Sequence, residues 1–560
     1  MTRNGFNGML AAAIACASLA APAQAQAPAQ QVSEARLHDL IKLAAEKVAN
    51  GSADVQQPAP NSGTRQVVAL TLDDAVKFAL DRNLDIAVQR LNPQINDLSV
   101  LRIRSVYKPS LVGTFNKQAV STPANTTLAG SSTPGSSIEA GLTTFNGGVA
   151  QSVPWGGGSY VLTLNNNRQT TTSQNTLYNP SYNTVWTGSY TQPLLRGFAT
   201  DSTRQQIGVT RVNRDISDVQ LRSIITNTLS NVREAYWNYV YSVQAVDVAQ
   251  QSLTLAQQLV QDNQTRVEVG TMAPIDVITA QSQAATALQN LVAAQGTMRT
   301  SELALKRLIV GGAEDPNWNV QLNPVDRPDF RPEPIDLDAS VRRALAERTD
   351  LIIAKQTMQG NDVTLKYLKD QLKPQADFVL TYGGTGVGGN QLVKDTTAVN
   401  SPVISTIPGG YGDALDSQFT NPRWTAQVNF SYPLGTSFQE ASVARARVQL
   451  NQVQAQVKQI ELQVATDVTN AIINVQSGAE RVQAAQSASV LAQKTLEAEQ
   501  SKFEVGMSTN YNVILTQRDL ATAQINELQA ILNYRISLVE LERLQQTTLT
   551  SLGISILTPQ

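Results

Sequence analysis

Cysteine and histidine are almost absent from this sequence. Its 560 residues include one of each, Cys16 and His38, and both lie near the start. The rest of the chain therefore cannot hold a disulfide framework, a Cys/His metal site or a nucleophile activated by histidine. Aromatic residues amount to 5% and the formal net charge is −2. These values disfavour several compact cores and a basic nucleic-acid-binding surface, and they better suit an elongated or assembled protein.

The first 25 residues are typical of a secretory signal peptide. Arg3 precedes the apolar stretch Met9–Ala21, and residues 23–25 form a small-x-small cleavage site. This stretch is shorter than the about 20 residues that a membrane-spanning helix needs. Cys16 leaves a second interpretation open, a lipid anchor, because residues 13–15 loosely resemble a lipobox. No later apolar run is long enough to span a bilayer as a helix, so an exported chain would enter a membrane as strands.

Residues 26–66 predict a short amphipathic helix followed by a linker. The apolar residues on one face of this helix are Leu37, Leu40, Ile41, Ala44 and Val48. The residues that follow are rich in Pro, Ser, Gly and Gln, a composition typical of linkers. The sequence leaves open whether this segment packs against the rest of the chain.

The remainder of the chain contains an internal duplication. Leu72–Pro109 aligns without a gap onto Leu337–Pro374, and Arg266–Gly270 aligns onto Lys502–Gly506. Because each copy takes up about half of the chain, the pattern indicates a duplicated domain and not a solenoid. We predict repeats at 67–330 and 331–546, followed by a tail at 547–560.

The proline positions predict very long helices. No proline occurs between Pro193 and Pro274 or between Pro433 and Pro559, and a proline inside a helix costs about 3 kcal/mol. Apolar residues recur at steps of three and four from Leu450 to Val475, which indicates coiled-coil-like packing. A glycine after valine then ends each long helix. We predict helical hairpins at about 200–310 and 438–544.

Alternating segments predict β-strands. Trp424–Tyr432 and Ala376–Tyr382 alternate between apolar and polar residues, and Tyr182–Tyr190 and Leu111–Phe115 do so less regularly. The strands are therefore expected at about 110–192 and 376–433. One apolar and one polar face are typical of a transmembrane barrel, although a sheet in a soluble sandwich also alternates.

Four strands are too few to close a barrel, and an open sheet edge is not tolerated in lipid. If these strands span a membrane, the protein must therefore oligomerise. Leu142–Asn166, with a turn at Pro154–Gly158, leaves open whether an extra hairpin joins the barrel.

The glycine-rich segment Gly384–Gly389 matches a dinucleotide-binding pattern and follows a predicted strand. Residues 390–402 lack helical periodicity, so no helix N-terminus is expected to receive a phosphate. We therefore interpret these glycines as a loop between two strands.

Taken together, the chain from Val67 to Leu544 resembles the TolC-type outer-membrane efflux factors. The resemblance depends on the two aligned repeats, on the Gln192-Pro193-Leu194-Leu195 junction and its counterpart Tyr432-Pro433-Leu434, and on the two Val-Gly tips. It implies an α+β membrane protein that forms a homotrimer. Each protomer would give four strands to one outer-membrane β-barrel, which continues into an α-helical coiled-coil barrel in the periplasm.

The resemblance also implies where partners bind. The far end of the tunnel would dock a periplasmic adaptor protein, which connects it to an inner-membrane transporter. The residues expected to contact the adaptor are Val269, Gly270, Thr271, Val505, Gly506 and Met507. A known member carries paired aspartates at its closed end where this sequence has Asn512 and Leu515, so that acidic ring is absent here. Asp276 occupies the same place in the first repeat, and a threefold ring of Asp276 could restore negative potential at the tunnel mouth. Asp276 and Asn512 are therefore the candidates for a periplasmic constriction, although Asp276 could instead simply stabilise a helix N-terminus.

These features predict an outer-membrane exit duct of a tripartite efflux pump or a type I secretion system. We expect contact with outer-membrane lipid and passive conduction, since the sequence has no Walker-type phosphate loop. No enzyme activity, cofactor, metal or nucleic-acid partner is predicted. The alternative is a structural or adhesive surface protein that uses long coiled coils without transport.

Overall fold

A computed structural model describes residues 67–554, apart from 125–129, 132–135, 328–329, 333, 396–401, 433 and 435–436. The predicted signal peptide at 1–25, Cys16, and the helix and linker at 26–66 lie outside the described residues. So do Pro433 of the second strand-to-helix junction and the end of the C-terminal tail.

Long helices dominate the described chain. The helices are α1 Leu72–Arg82, α2 Leu84–Gln89, α3 Leu91–Arg104, α4 Ser202–Glu268, α5 Pro274–Ile309, α6 Leu337–Glu347, α7 Thr349–Asp370, α8 Tyr411–Thr420, α9 Phe438–Glu504, α10 Asn510–Leu544 and α11 Thr548–Ser551. Single 3-10 turns occur at Ser105–Tyr107 and Pro316–Trp318. Helices α4 and α9 have 67 residues each, so each is about 100 Å long at 1.5 Å per residue. Among the helices described, none is both long and apolar enough to cross a membrane.

The duplication seen in the sequence is also present in the structure. Helices α4 and α5 form one hairpin, and α9 and α10 form the other. Helix α6 begins and ends at the positions that align with α1, whereas the first repeat divides into α2 and α3 where the second has one helix, α7. Pro93 explains this difference, because it lacks the N–H that an uninterrupted helix requires. The aligned residue of the second repeat is Met358, which has this N–H. The predicted unit of strands plus a long helical hairpin is confirmed.

Side chains at the helix starts explain where the long helices begin. The Asp201 side chain accepts a hydrogen bond from the Arg204 N–H at 2.6 Å. Ser437 and Glu440 form a reciprocal capping box at the start of α9, with distances of 3.2 and 3.3 Å. Each cap satisfies backbone N–H groups that have no partner within the helix.

The strands form one large sheet and one small one. They are β1 Val67–Leu70, β2 Ser110–Pro123, β3 Ser137–Ser152, β4 Ser159–Thr171, β5 Tyr178–Pro193, β6 Gln321–Pro324, β7 Gln375–Lys394, β8 Val403–Ile407 and β9 Pro422–Ser431. Within the described residues, β1 pairs with β6 in parallel, and the other seven strands form an antiparallel sheet in the order β2-β3-β4-β5-β7. The same edge of β7 pairs with β9 along its first half and with β8 at its end.

The extra hairpin therefore belongs to the sheet. Strands β3 and β4 lie between β2 and β5 and pair with them over nearly their full lengths, for example at Phe115↔Phe145 and Thr163↔Thr187. The large sheet of the described chain thus contains the four expected strands, β2, β5, β7 and β9, together with this hairpin. The short strand β8 has only five residues.

The two faces of the sheet differ in polarity. Successive side chains of a strand point to opposite faces, and the observed register places the large apolar residues on one face. They include Leu111, Phe115, Leu162, Trp186, Leu380, Tyr382, Trp424, Val428 and Phe430. The other face carries mainly Thr, Asn, Gln and Ser. This division is typical of a membrane-spanning sheet with lipid on one side and water on the other.

The interpretation of Gly384–Gly389 as a loop is wrong, because these glycines lie inside β7. Their lack of side chains allows α8 to pack directly on the sheet, since a Cβ at Gly386 would overlap the Ala414 carbonyl oxygen. The Thr184 hydroxyl donates to this same oxygen at 2.8 Å. A close backbone approach, and not a phosphate site, therefore explains the glycines.

A buried core joins the small sheet to the helices of the first repeat. Tyr236 is completely buried and its hydroxyl lies 2.8 Å from the Asp326 carboxylate and 3.1 Å from the Leu70 carbonyl. Burial, and secondarily the hydrogen bond with Asp326, raises the pKa of Tyr236 far above its ordinary value. The neutral hydroxyl is therefore part of the packed structure.

Candidate functional site: the hairpin tips

The first tip, Val269–Thr271, is a tight turn between α4 and α5. Gly270 has a φ of +78°, a conformation that costs glycine little and other residues more. The Gly270 N–H donates to the Val267 carbonyl at 3.0 Å, and the Thr271 N–H donates to the Arg266 carbonyl at 2.9 Å. The turn therefore satisfies carbonyl groups at the end of α4.

The second tip, Val505–Met507, repeats this geometry between α9 and α10. Gly506 has a φ of +76°, its N–H donates to the Phe503 carbonyl at 3.1 Å, and the Met507 N–H donates to the Lys502 carbonyl at 2.8 Å. The aligned sequences thus fold into equivalent turns.

Both tips expose apolar side chains. Val269 is 68% exposed, Val505 71% and Met507 78%, and Gly270, Thr271 and Gly506 are exposed as well. Apolar side chains at the end of two long helical hairpins provide a surface that another protein can cover.

Beneath the turns, a small core joins the two hairpins. Leu259, Ala280, Phe503 and Val513 are buried together. The Arg266 guanidinium carbon lies 4.5 Å from the centre of the Phe503 ring, and its Nη1 donates to the Phe503 carbonyl at 3.2 Å. These contacts hold the first tip against the end of α9.

Two buried asparagines connect the hairpins close to this core. Asn263 is completely buried and Asn510 is 3% exposed. The Asn263 Nδ2 donates to the Asn510 Oδ1 at 2.9 Å, and the Asn510 Nδ2 donates to the Asp276 carbonyl at 3.0 Å. We call these three residues the amide lock. Sequence reasoning missed it because its members are not equivalent in the two repeats: Asn263 aligns with Glu499, and Asn510 aligns with Pro274.

Asp276 and Asn512 occupy equivalent places in the first turns of α5 and α10. Asp276 is half-buried and Asn512 is exposed. The Asn512 N–H donates to the Thr509 hydroxyl at 3.4 Å, and its Nδ2 donates to the Ser508 hydroxyl at 3.5 Å. Their role at a constriction stays a prediction.

The chain also matches known proteins. A profile described as Outer membrane efflux protein matches residues 160–311 and 405–545, which together exceed half of the chain. The chain belongs to the outer membrane efflux protein family.

This efflux protein resembles the outer membrane efflux protein BepC of Brucella suis biovar 1 (strain 1330). The two are 23% identical over 346 residues, which cover 60% of this chain and 67% of BepC. Members of the family form trimeric channels that operate with adaptors and inner-membrane transporters.

Solved outer-membrane proteins share the fold. VceC of Vibrio cholerae matches with a TM-score of 0.58 at 13% identity, covering 85% of this chain and 95% of VceC. The open state of MtrE from Neisseria gonorrhoeae matches with a TM-score of 0.55 at 15% identity, covering 85% of this chain and 88% of MtrE. As a member of the outer membrane efflux protein family, this protein is an outer-membrane channel and not an enzyme. Nothing supports the alternative of an adhesive surface protein.

The second tip of the efflux protein contains a charged cluster that sequence reasoning also missed. The Glu499 carboxylate accepts a hydrogen bond from the Ser508 hydroxyl and lies 3.2 Å from the Lys502 ammonium. The hydrogen bond from Ser508, followed by that from Lys502, lowers the pKa of Glu499. Glu499 and Lys502 precede the turn and Ser508 follows it, so these contacts connect its two sides.

Proposed function

We propose that this channel is the exit duct of a tripartite efflux pump or a type I secretion system. In this function the tips Val269–Thr271 and Val505–Met507 of three copies contact the helical hairpins of a periplasmic adaptor. The observation that carries the proposal is the pair of equivalent turns, both with exposed apolar residues, in the two repeats of one chain. A trimer would present six such turns at one end of the tunnel.

Transport through the duct is passive in this proposal. The sequence has no phosphate-binding loop that could use ATP, so the inner-membrane transporter supplies the energy and the adaptor connects it to the tips. No cofactor is required. We further propose that Asp276, with Asn512 nearby, contributes to the constriction at the tunnel end, where three carboxylates would attract cations.

Bulky substitutions at the tips test the docking role. Gly270→Trp and Gly506→Trp place a large side chain in each turn, and we expect both variants to lose export while still forming trimers. The assay is resistance to exported toxic compounds in a host that lacks its own exit duct and expresses this chain with an adaptor and transporter. Gly270→Asn is a second variant for the same assay. Asparagine tolerates a positive φ, so this substitution should keep the turn without adding a side chain as large as tryptophan.

Gly312→Trp is the matched control. Gly312 lies in a loop at the opposite end of α5, and a Cβ there meets no atom within 4 Å, so the variant should export normally. Unchanged resistance in both tip variants would contradict tip docking. The duct itself would be refuted if the purified wild-type protein formed no channel in a planar lipid bilayer.

A further inference from the structure

The large sheet has more long strands than the family resemblance implies. In the described chain, β2, β3, β4, β5, β7 and β9 each have ten or more residues and pair side by side. A TolC-type protomer would supply four. The additional pair, β3 and β4, lies in the middle of the sheet, and its removal would leave β2 without its present neighbour.

The polarity of the hairpin matches that of the other strands. On the apolar face, Val149 of β3 pairs with Leu111 of β2 and with Leu162 of β4. Leu162 in turn pairs with Gly188 of β5. Asn146 and Asn165 pair on the opposite, polar face. A hairpin folded away from lipid would have no physical reason to continue both faces in register. Strands β3 and β4 therefore have the same division of polarity as the neighbouring strands that are expected to span the membrane.

Both outer edges of this sheet require a partner. Every residue of β2 and β9 is exposed, and no further strand of the described chain pairs beyond them. Unpaired backbone N–H and C=O groups find no water to bind in hydrocarbon, so a spanning sheet has to close. Five antiparallel pairings separate β2 from β9, which makes the two edges antiparallel to each other. A second copy of the chain can therefore continue the sheet by pairing its β2 with β9 of the first.

We propose that three copies close an eighteen-stranded barrel, because three times six strands gives eighteen, in place of the twelve expected from four strands each. This proposal depends on the trimer assumed in the proposed function. Barrel diameter increases roughly linearly with strand number, so the lumen is about 1.5 times as wide as that of a twelve-stranded barrel. The outer mouth is then wider than the family arrangement requires, and the size limit for substrates lies in the helical tunnel and not in the barrel.

The first experiment counts strands directly. The purified full chain is placed in lipid nanodiscs and imaged by cryo-electron microscopy, with no adaptor or transporter present. We expect eighteen strands, with β2 of each protomer beside β9 of the next. Any other strand number, including twelve with the hairpin outside the barrel, overturns the proposal. This experiment does not measure export. A strand number other than eighteen would therefore leave the proposed function intact, and eighteen strands could equally be found in a protein that does not export.

A disulfide assay tests the position of the hairpin independently. Thr163→Cys with Thr187→Cys joins β4 to β5, and we expect the disulfide in assembled trimers because these residues are paired. Ser189→Cys with Thr381→Cys is the matched control, since β5 and β7 pair in either arrangement. A disulfide in the control alone would overturn the proposal.

A deletion then tests the width. Removal of residues 137–171 takes out β3 and β4, and β2 is already antiparallel to β5, so the remaining strands can pair. The variant should form a barrel narrower by about a third, and graded polyethylene glycols added from the outer side should enter to a size limit about 1.5-fold smaller. An unchanged limit in assembled trimers would contradict the wider mouth.

Discussion

Replacing Asn510 by leucine tests whether the amide lock holds the two hairpins together near the tips. The substitution removes the acceptor for the Asn263 amide and the donor to the Asp276 carbonyl, at 2.9 and 3.0 Å. A leucine of similar size keeps most of the apolar contacts but leaves the completely buried Asn263 amide without this partner.

The expected cost follows from the groups left behind. A buried polar group that loses its partner costs about 1–3 kcal/mol. Loss of the hydrogen bond to the Asp276 carbonyl costs less free energy, because this carbonyl lies within the first turn of α5 and still accepts a hydrogen bond within the helix. We therefore expect Asn510→Leu to lower the local opening free energy of the tips by about 2–3 kcal/mol.

Hydrogen exchange of the assembled trimer measures this opening. Since 1.4 kcal/mol corresponds to a factor of ten, backbone amides near Asn263 and at the start of α10 should exchange roughly 30- to 140-fold faster. Amides in the distant core around Tyr236 should exchange at the wild-type rate.

Asn512→Leu is the matched control, because it changes the same residue type two positions away. The Asn512 side chain is exposed and hydrogen-bonds to Ser508, at 3.5 Å, and to the Glu499 carboxylate. Because hydrogen bonds of an exposed side chain contribute little net stability, its loss should alter exchange less than threefold. Asn263→Leu together with Asn510→Leu should recover part of the loss, since both members of the buried pair are then apolar. Wild-type exchange in Asn510→Leu, or equal acceleration in Asn512→Leu, would refute the lock.

Two further predictions concern the core and the sheet. Tyr236→Phe removes the hydroxyl bound to Asp326 and should lower stability by about 1–2 kcal/mol. The pKa of Tyr236 is raised in the folded state, so its hydroxyl stabilises the fold fully below the ordinary tyrosine pKa of about 10 and less at higher pH. The difference in Tm between Tyr236→Phe and wild type should therefore shrink above pH 10. A difference that stays constant with pH would argue against this. Gly386→Ala should displace α8, because its Cβ would overlap the Ala414 carbonyl, and faster protease cleavage within residues 411–420 would reveal the displacement. Gly147→Ala, whose Cβ meets nothing within 4 Å, should leave α8 protected, and equal cleavage of both variants would contradict the packing argument.

Several features of the fold could be predicted from local sequence rules. Proline cannot lie within a helix without loss of a hydrogen bond, so its absence from 194–273 indicated the length of α4. Glycine adopts a positive φ at lower cost than other residues, so the positions of Gly270 and Gly506 predicted both turns. The alternation of Trp424–Tyr432 indicated which residues share a face. All three signals depend on a residue and its near neighbours along the chain.

Other features depended on which distant segments meet, and these were decided by the tertiary structure. Alternation does not reveal how many strands join one sheet, because strand pairing joins residues far apart in sequence, as in Ser189↔Thr381. The role of Gly386 required knowledge that α8 packs on β7, and the amide lock required Asn263 to meet Asn510 across 247 positions. The sequence alone thus determined the long helices, their turns and the polarity of the strands. The pairing of six long strands in one sheet and the lock between the hairpins arise only from packing, because a buried amide or a sheet edge acquires its partner only when the chain folds.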